Sequence, residues 1–226
     1  MKRSEINDLL TVAKDLAHAN KIVLPPFAYW SPEDWATKGS ECDEIRDCAL
    51  GWDITDFGTG KFDEVGLTVF TIRNGNKDDP RYRHKTYCEK LLISQENQVT
   101  PYHFHWSKVE DIINKAGGNL VLRLYNSTED EKLDETSDIT VVMDGVSKTL
   151  PAGSTVTLTA GESITLPAYL YHEFWAEEGT GAAVVGEVSK VNDDNTDNCF
   201  LDAPGRFPEI KEDTAPLHYL CNEYPS

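Results

Sequence analysis

Between residues 67 and 191 the chain is cut into short runs of alternating or mostly apolar side chains, each closed by turn-forming residues. The runs 67–72, 88–94, 101–106, 119–125, 139–143, 146–150, 155–159, 163–166, 171–176 and 182–191 read as strands. Asp144-Gly145 stands between two of them and is a two-residue hairpin signal, since both residue types tolerate the positive φ that such a turn needs. Many short strands at regular spacing predict an all-β architecture, an antiparallel sandwich or barrel.

With 226 residues the chain makes one large domain or two small ones and is long enough to bury a core. A net charge of −18 argues against nucleic acid or an anionic membrane surface as partner, and favours a neutral substrate over a phosphorylated one. The five cysteines are scattered, odd in number and without a CxxC pair, so no disulfide framework is indicated. No run of 18 apolar residues occurs, and MKRSEINDLL has a basic start without the apolar stretch of a signal sequence. These features read as a reduced, soluble, cytoplasmic protein.

Two short helices precede the strands. Residues 4–20 place Ile6, Leu9, Leu10, Ala13, Leu16 and Ala17 at helical spacing, with Ser4 as the expected cap. Residues 31–39 begin with Ser31-Pro32 and acidic residues, and end on Gly39. Trp30, in the aromatic segment between them, is either core packing or a wall of a site. The basic cluster Arg81, Arg83, His84 and Lys85 reads as a solvated turn.

The stretch TPYHFHWSKVEDIINKAGG carries chemistry. His103 and His105 leave the same face of a strand, and Glu110 follows after room for a turn. His172 stands downstream on another strand that an antiparallel barrel can set beside the first. Three imidazoles and a carboxylate suit a borderline divalent cation such as Mn, Fe, Co or Zn.

These spacings are those of the cupin family: His103, His105, Glu110 and Gly117 match its first motif, and Gly161, Pro167 and His172 its second. Asn97, Tyr169 and Ala176 depart from it, standing where the motifs usually have glycine, glycine and asparagine. Over nearly the whole chain, HFHWSKVEDIINKAGGNL, EVSKVNDDNTDN and GRFPEIKED resemble the D-lyxose isomerases, with Cys199 standing where a basic residue is expected. The resemblance implies a cupin-type antiparallel β-barrel, or jelly roll, with short N-terminal helices. It implies a single cupin domain over 1–226, with 1–50 packed on the barrel as an extension and 192–226 as a loop segment near its mouth. It further implies bound Mn(II), with Co, Fe or Zn as other possibilities, a homodimer, and interconversion of D-lyxose and D-xylulose, with D-mannose and D-fructose as further substrates.

Such an isomerisation moves a proton from C2 to C1 through an enediol, or shifts a hydride directly. The expected metal ligands are His103, His105, Glu110 and His172. Glu110 is the first candidate for the base, with Lys108 stabilising an oxyanion or relaying a proton. Asp202 and Glu209, in the segment after the barrel, are alternative bases, and Arg206 is a substrate contact there. Lys90 lies in the apolar run CEKLLI, where alternation turns it inward, and an inward lysine is costly unless it has a use. Trp30 and Phe174 offer apolar faces to a sugar. Two other readings share the ligand set: a redox cupin (a dioxygenase or decarboxylase of a small acid) and a non-catalytic sugar-binding cupin. An acidic substrate would want an arginine in the barrel, and Arg123 is the strand arginine placed nearest to one.

Overall fold

The computed structural model describes the chain apart from residues 195, 203, 204, 206, 207 and 226. Its helices are α1 (Arg3–Ala19), α2 (Pro32–Trp35) and α3 (Asp43–Asp47). Its strands are β1 (Gly51–Thr55), β2 (Leu67–Arg73), β3 (Tyr87–Ser94), β4 (Thr100–Phe104), β5 (Glu110–Gly117), β6 (Leu120–Ser127) and β7 (Leu133–Asp134). They continue as β8 (Ile139–Met143), β9 (Val146–Leu150), β10 (Thr155–Leu158), β11 (Ser163–Leu166), β12 (Leu170–Ala176), β13 (Ala183–Lys190) and β14 (Cys199–Phe200). The ten predicted runs are all strands. Outside them lies β1, whose five residues are all buried and show no alternation to read. The strand β5 and the two-residue strands β7 and β14 also lie outside them, and α3 is a single turn with no buried residue and hence no apolar stripe.

Two antiparallel sheets face each other: one in the order β1-β2-β3-β13-β5-β11-β8-β9, the other β10-β6-β12-β4-β14. Alternation sorts the side chains. Leu120, Leu122 and Leu124 of β6 and Phe174 and Ala176 of β12 meet Leu92, Ile112, Ile164 and Val185 of the large sheet in one core between the sheets. The opposite face of β3, through Leu91 and Ile93, joins Trp52, Ile54 and Phe70 under the stripe Ile6, Leu10, Ala13 and Ala17 of α1. The inner face is thus apolar where it meets the small sheet's core, and Lys90 and Glu187 occupy inward positions next to it.

The cap of α1 differs from expectation. Lys2 is the N-cap and its N–H is taken by Glu5 at 2.7 Å, while Ser4 lies inside the first turn and bonds Asp213 through both N–H and hydroxyl. A partner 209 residues away is invisible to a local capping pattern. Ser31 caps α2 as predicted, accepting from Asp34 N–H at 3.2 Å. Asn97 and Tyr169 adopt φ of 58° and 63°, so both hold the left-handed conformation for which the usual motif glycines are suited. At Gly117 the motif keeps its glycine: φ is 81°, and a Cβ would sit 2.2 Å from the Ala182 carbonyl. No helix among the described residues is long and apolar enough to cross a membrane.

Candidate active site

The donor set is built by register. His103 on β4 is the ladder partner of His172 on β12, and the ladder shifts between His172 and Phe174 so that Thr100 faces Phe174. His105 follows the end of β4, and Glu110 opens β5 after the intervening turn. One ligand atom from each of His103, His105, Glu110 and His172 lies within 4.8 Å of all the others. Glu110 Oε1 is 3.4 Å from His105 Nε2 and 3.1 Å from His172 Nε2.

The tautomers suit a cation. Each ring commits its Nδ1 to a backbone carbonyl: His103 to Pro101 at 2.9 Å, His105 to Asp197 at 2.7 Å and His172 to Leu170 at 3.0 Å. With the proton on Nδ1, each Nε2 presents a lone pair. His105 Nε2 and Glu110 Oε1 are buried without a hydrogen-bond partner. Acceptors that converge out of water repel one another unless a cation lies among them, so these residues fit a divalent metal. Burial, followed by the neighbouring His172 and His105, holds the His103 imidazole well below its ordinary value, which keeps it neutral as a ligand must be.

Beyond the donors the cavity, of about 460 Å³, is walled by the inner face of the large sheet. Lys108 Nζ bridges two buried carboxylates, 2.7 Å from Glu110 Oε2 and 2.9 Å from Glu187 Oε1. Lys90 Nζ, in register with Glu187 across β3 and β13, sits 3.1 Å from Glu187 Oε1 and donates to Asn192 Oδ1 at 2.7 Å. Asn192 is itself fixed by Asn74, whose Oδ1 accepts its N–H at 3.0 Å. Burial alone would raise the Glu187 carboxyl, but the Lys108 and Lys90 ammonium groups overcome it and hold the group below the usual carboxylate range. At Glu110 too, burial is outweighed by Lys108 and His105, leaving the carboxyl well below its ordinary value. The two carboxylates in turn hold the Lys108 ammonium above its ordinary value against the opposing effect of burial.

Of the residues singled out in the sequence, the structure brings together His103, His105, Lys108, Glu110, His172, Lys90 and Phe174 along this cavity. It does not bring Trp30 there: the ring packs edge-on to Trp35 at 5.2 Å with Lys38 over its face, so its role is packing. Asp202 and Glu209 are exposed and are not among the described lining residues. The Glu209 carbonyl accepts from the N-terminal amine at 2.9 Å. Arg206 lies outside the described residues. Arg123 is on the outer face of the small sheet, paired with Glu173 at 3.3 Å, so the barrel gains no arginine from β6. Cys199 also points away from the cavity, toward Tyr171 and Glu131, while its neighbour Phe200 stacks on His103 at 5.2 Å. The second oxygen of Glu110, the one a base at this position would use, is occupied by Lys108 at 2.7 Å.

Glu187, Asn192 and Phe200 are among the site residues that sequence reasoning passed over. The signal for Glu187 was available, since it shares the inward parity of Val185 on β13, but nothing nearby in sequence marks its partner.

The D-lyxose isomerase family model matches residues 1–224. The chain is 48% identical over 225 residues to the D-lyxose/D-mannose isomerase of Escherichia coli O157:H7, covering 99% of this chain and 98% of that protein. It is 47% identical, with the same coverage, to the D-lyxose/D-mannose isomerase of Serratia proteamaculans. Among solved structures, the L-ribose isomerase of Geodermatophilus obscurus superposes with a TM-score of 0.61 at 20% identity, covering 93% of this chain and 98% of that one. The Cellulomonas parahominis L-ribose isomerase with L-ribose gives 0.60, again at 20% identity with coverages of 93% and 98%. At such identity these two likenesses bear on the fold alone, a cupin barrel.

Proposed function

Because the chain belongs to the D-lyxose isomerase family, and is an aldose–ketose isomerase of the D-lyxose/D-mannose type, we propose that it interconverts D-lyxose with D-xylulose and D-mannose with D-fructose. The observation that carries the mechanism is Glu187: a buried carboxylate outside the donor set, one lysine away from it, on the same cavity wall. His103, His105, Glu110 and His172 would hold Mn(II). When bound there, the ion would polarise the sugar carbonyl and offset negative charge on its oxygens.

The residues around it divide the remaining work. Glu187 takes the C2 proton; the C2–H electrons form the C1–C2 double bond of an enediol, and the same carboxylate returns the proton to C1 as C2 becomes the carbonyl. Lys108 stays charged between its two carboxylates. From there it stabilises oxygen charge and moves a proton from O2 to O1. Lys90 and Asn192 fix the orientation of Glu187. Phe174 and Phe200 present apolar faces to the C–H side of the sugar and limit water at the reacting carbons. We place the protein in the cytoplasm as a homodimer, on the resemblance and on the absence of any disulfide pattern.

The test is formation of D-xylulose from D-lyxose, and of D-fructose from D-mannose, by chelated protein before and after Mn(II) is added. Turnover restored by the metal and abolished in His103→Ala and His172→Ala is the expected result. No turnover of either sugar by protein that demonstrably binds metal would overturn the proposal.

A further inference from the structure

Asp197 is a buried carboxylate that neither belongs to the donor set nor lines the cavity. Its Oδ1 accepts from the Ser107 N–H at 2.8 Å, and its Oδ2 from the Ser107 hydroxyl and the Lys108 N–H, each at 2.9 Å. Its own carbonyl accepts the His105 Nδ1 proton at 2.7 Å. Ser107 and Lys108 lie in the connection between β4 and β5, outside any strand. A single anion that takes both amide protons therefore fixes the orientation of two successive peptide groups that no strand holds.

We infer that Asp197 is a positioning residue for the isomerisation, acting on turnover through Lys108 and on metal affinity through His105. The lysine side chain is long and flexible, and it reaches Glu110 Oε2 and Glu187 Oε1 together only from a fixed backbone origin. The same residue sets the His105 tautomer, so that Nε2 faces Glu110 and His172. Asp197 thus ties the segment after β13, which also supplies Asn192 to Lys90, to both halves of the site. The inference rests on the isomerase reading proposed above.

Asp197→Asn keeps the size of the side chain but turns one acceptor into an amide donor that faces N–H or O–H groups. Expected are a loss in kcat of about 10–100-fold at saturating Mn(II), and a comparable loss of Mn(II) affinity, read from the EPR signal of the free ion during titration of chelated protein. In a Lys108→Ala background the same change should cost no further kcat, because the lysine it acts through is gone. Equal losses in both backgrounds would reduce Asp197 to a structural residue, and unchanged kcat and affinity would overturn the inference outright. If Asp197→Asn does not fold, Ser107→Ala removes one of the three bonds and should lower kcat by about 2–10-fold, again only while Lys108 is present. If the wild-type protein binds Mn(II) but turns over neither sugar, the isomerase reading falls, while the affinity measurement still judges the link from Asp197 to His105.

Discussion

Glu187 must stay ionised to accept a proton and must remain basic enough to hold it. Two ammonium groups secure the first at some expense of the second, and both are themselves held, Lys90 by Asn192 and Lys108 by Glu110. Replacing Glu187 with Gln should lower kcat by about 10²–10⁴-fold, with metal stoichiometry unchanged, because the carboxylate is not a ligand. In D2O the ketose formed by the wild-type enzyme should carry deuterium at C1 in the fraction of turnovers in which the proton on Glu187 exchanges before its return. A product without any deuterium, together with an unimpaired Glu187→Gln variant, would mean that hydride moves directly and that Glu187 is not the base. The four ligands were legible because they obey fixed short spacings, and Lys90 because one charge stood out in an apolar strand. Glu187 was not, since the residue that explains it stands 97 positions earlier and becomes its neighbour only through the pairing of β3 with β13.

The helix α1 covers the outer face of the large sheet and is strapped there by the C-terminal segment. Arg3 pairs with Glu212 at 2.6 Å and also with Glu223, Asn7 bonds the Ala215 carbonyl at 2.9 Å, and Lys14 Nζ meets His218 Nε2 at 2.7 Å. His218 Nδ1 donates to the Trp30 carbonyl at 2.9 Å, so this ring joins three segments. Burial, together with the Lys14 ammonium, lowers the His218 imidazole from its ordinary value of 6.5, against the opposing pull of the Trp30 carbonyl and Asp34. The folded ring is therefore neutral where the unfolded one takes a proton, and its contribution to stability is intact above about pH 6.5 and lost as pH falls below it. Thermal unfolding between pH 8 and pH 5 should show a smaller acid loss in His218→Gln than in the wild type. An identical slope would remove His218 from the explanation. The apolar stripe of α1 was readable from periodicity; its strap was not, because every partner lies at the other end of the chain.

Across the whole molecule, one inner face serves two purposes: it closes the apolar core against the small sheet and carries the polar groups of the cavity. The converging acceptors of the donor set make that cavity costly without a cation. Mn(II) at 100 times its dissociation constant should stabilise the chelated protein by about 2.7 kcal/mol. For a chain of this length that corresponds to a rise in Tm of about 5–10 °C. The rise should vanish in His103→Ala; a wild-type protein whose Tm ignores Mn(II) would argue that the donors do not hold it.

The sequence alone determined the β architecture, the spacing of the ligands and the family, because alternation, turn residues and short motifs are local and survive in one dimension. It also contained the inward parity of Lys90. Tertiary structure alone decided that Lys108 bridges Glu110 and Glu187, and that Asp197 anchors the turn bearing Lys108. These facts depend on strand register and on where the chain runs after β13. Charges separated by tens of residues acquire their meaning only when ladder pairing sets them a few ångströms apart in a region that excludes water.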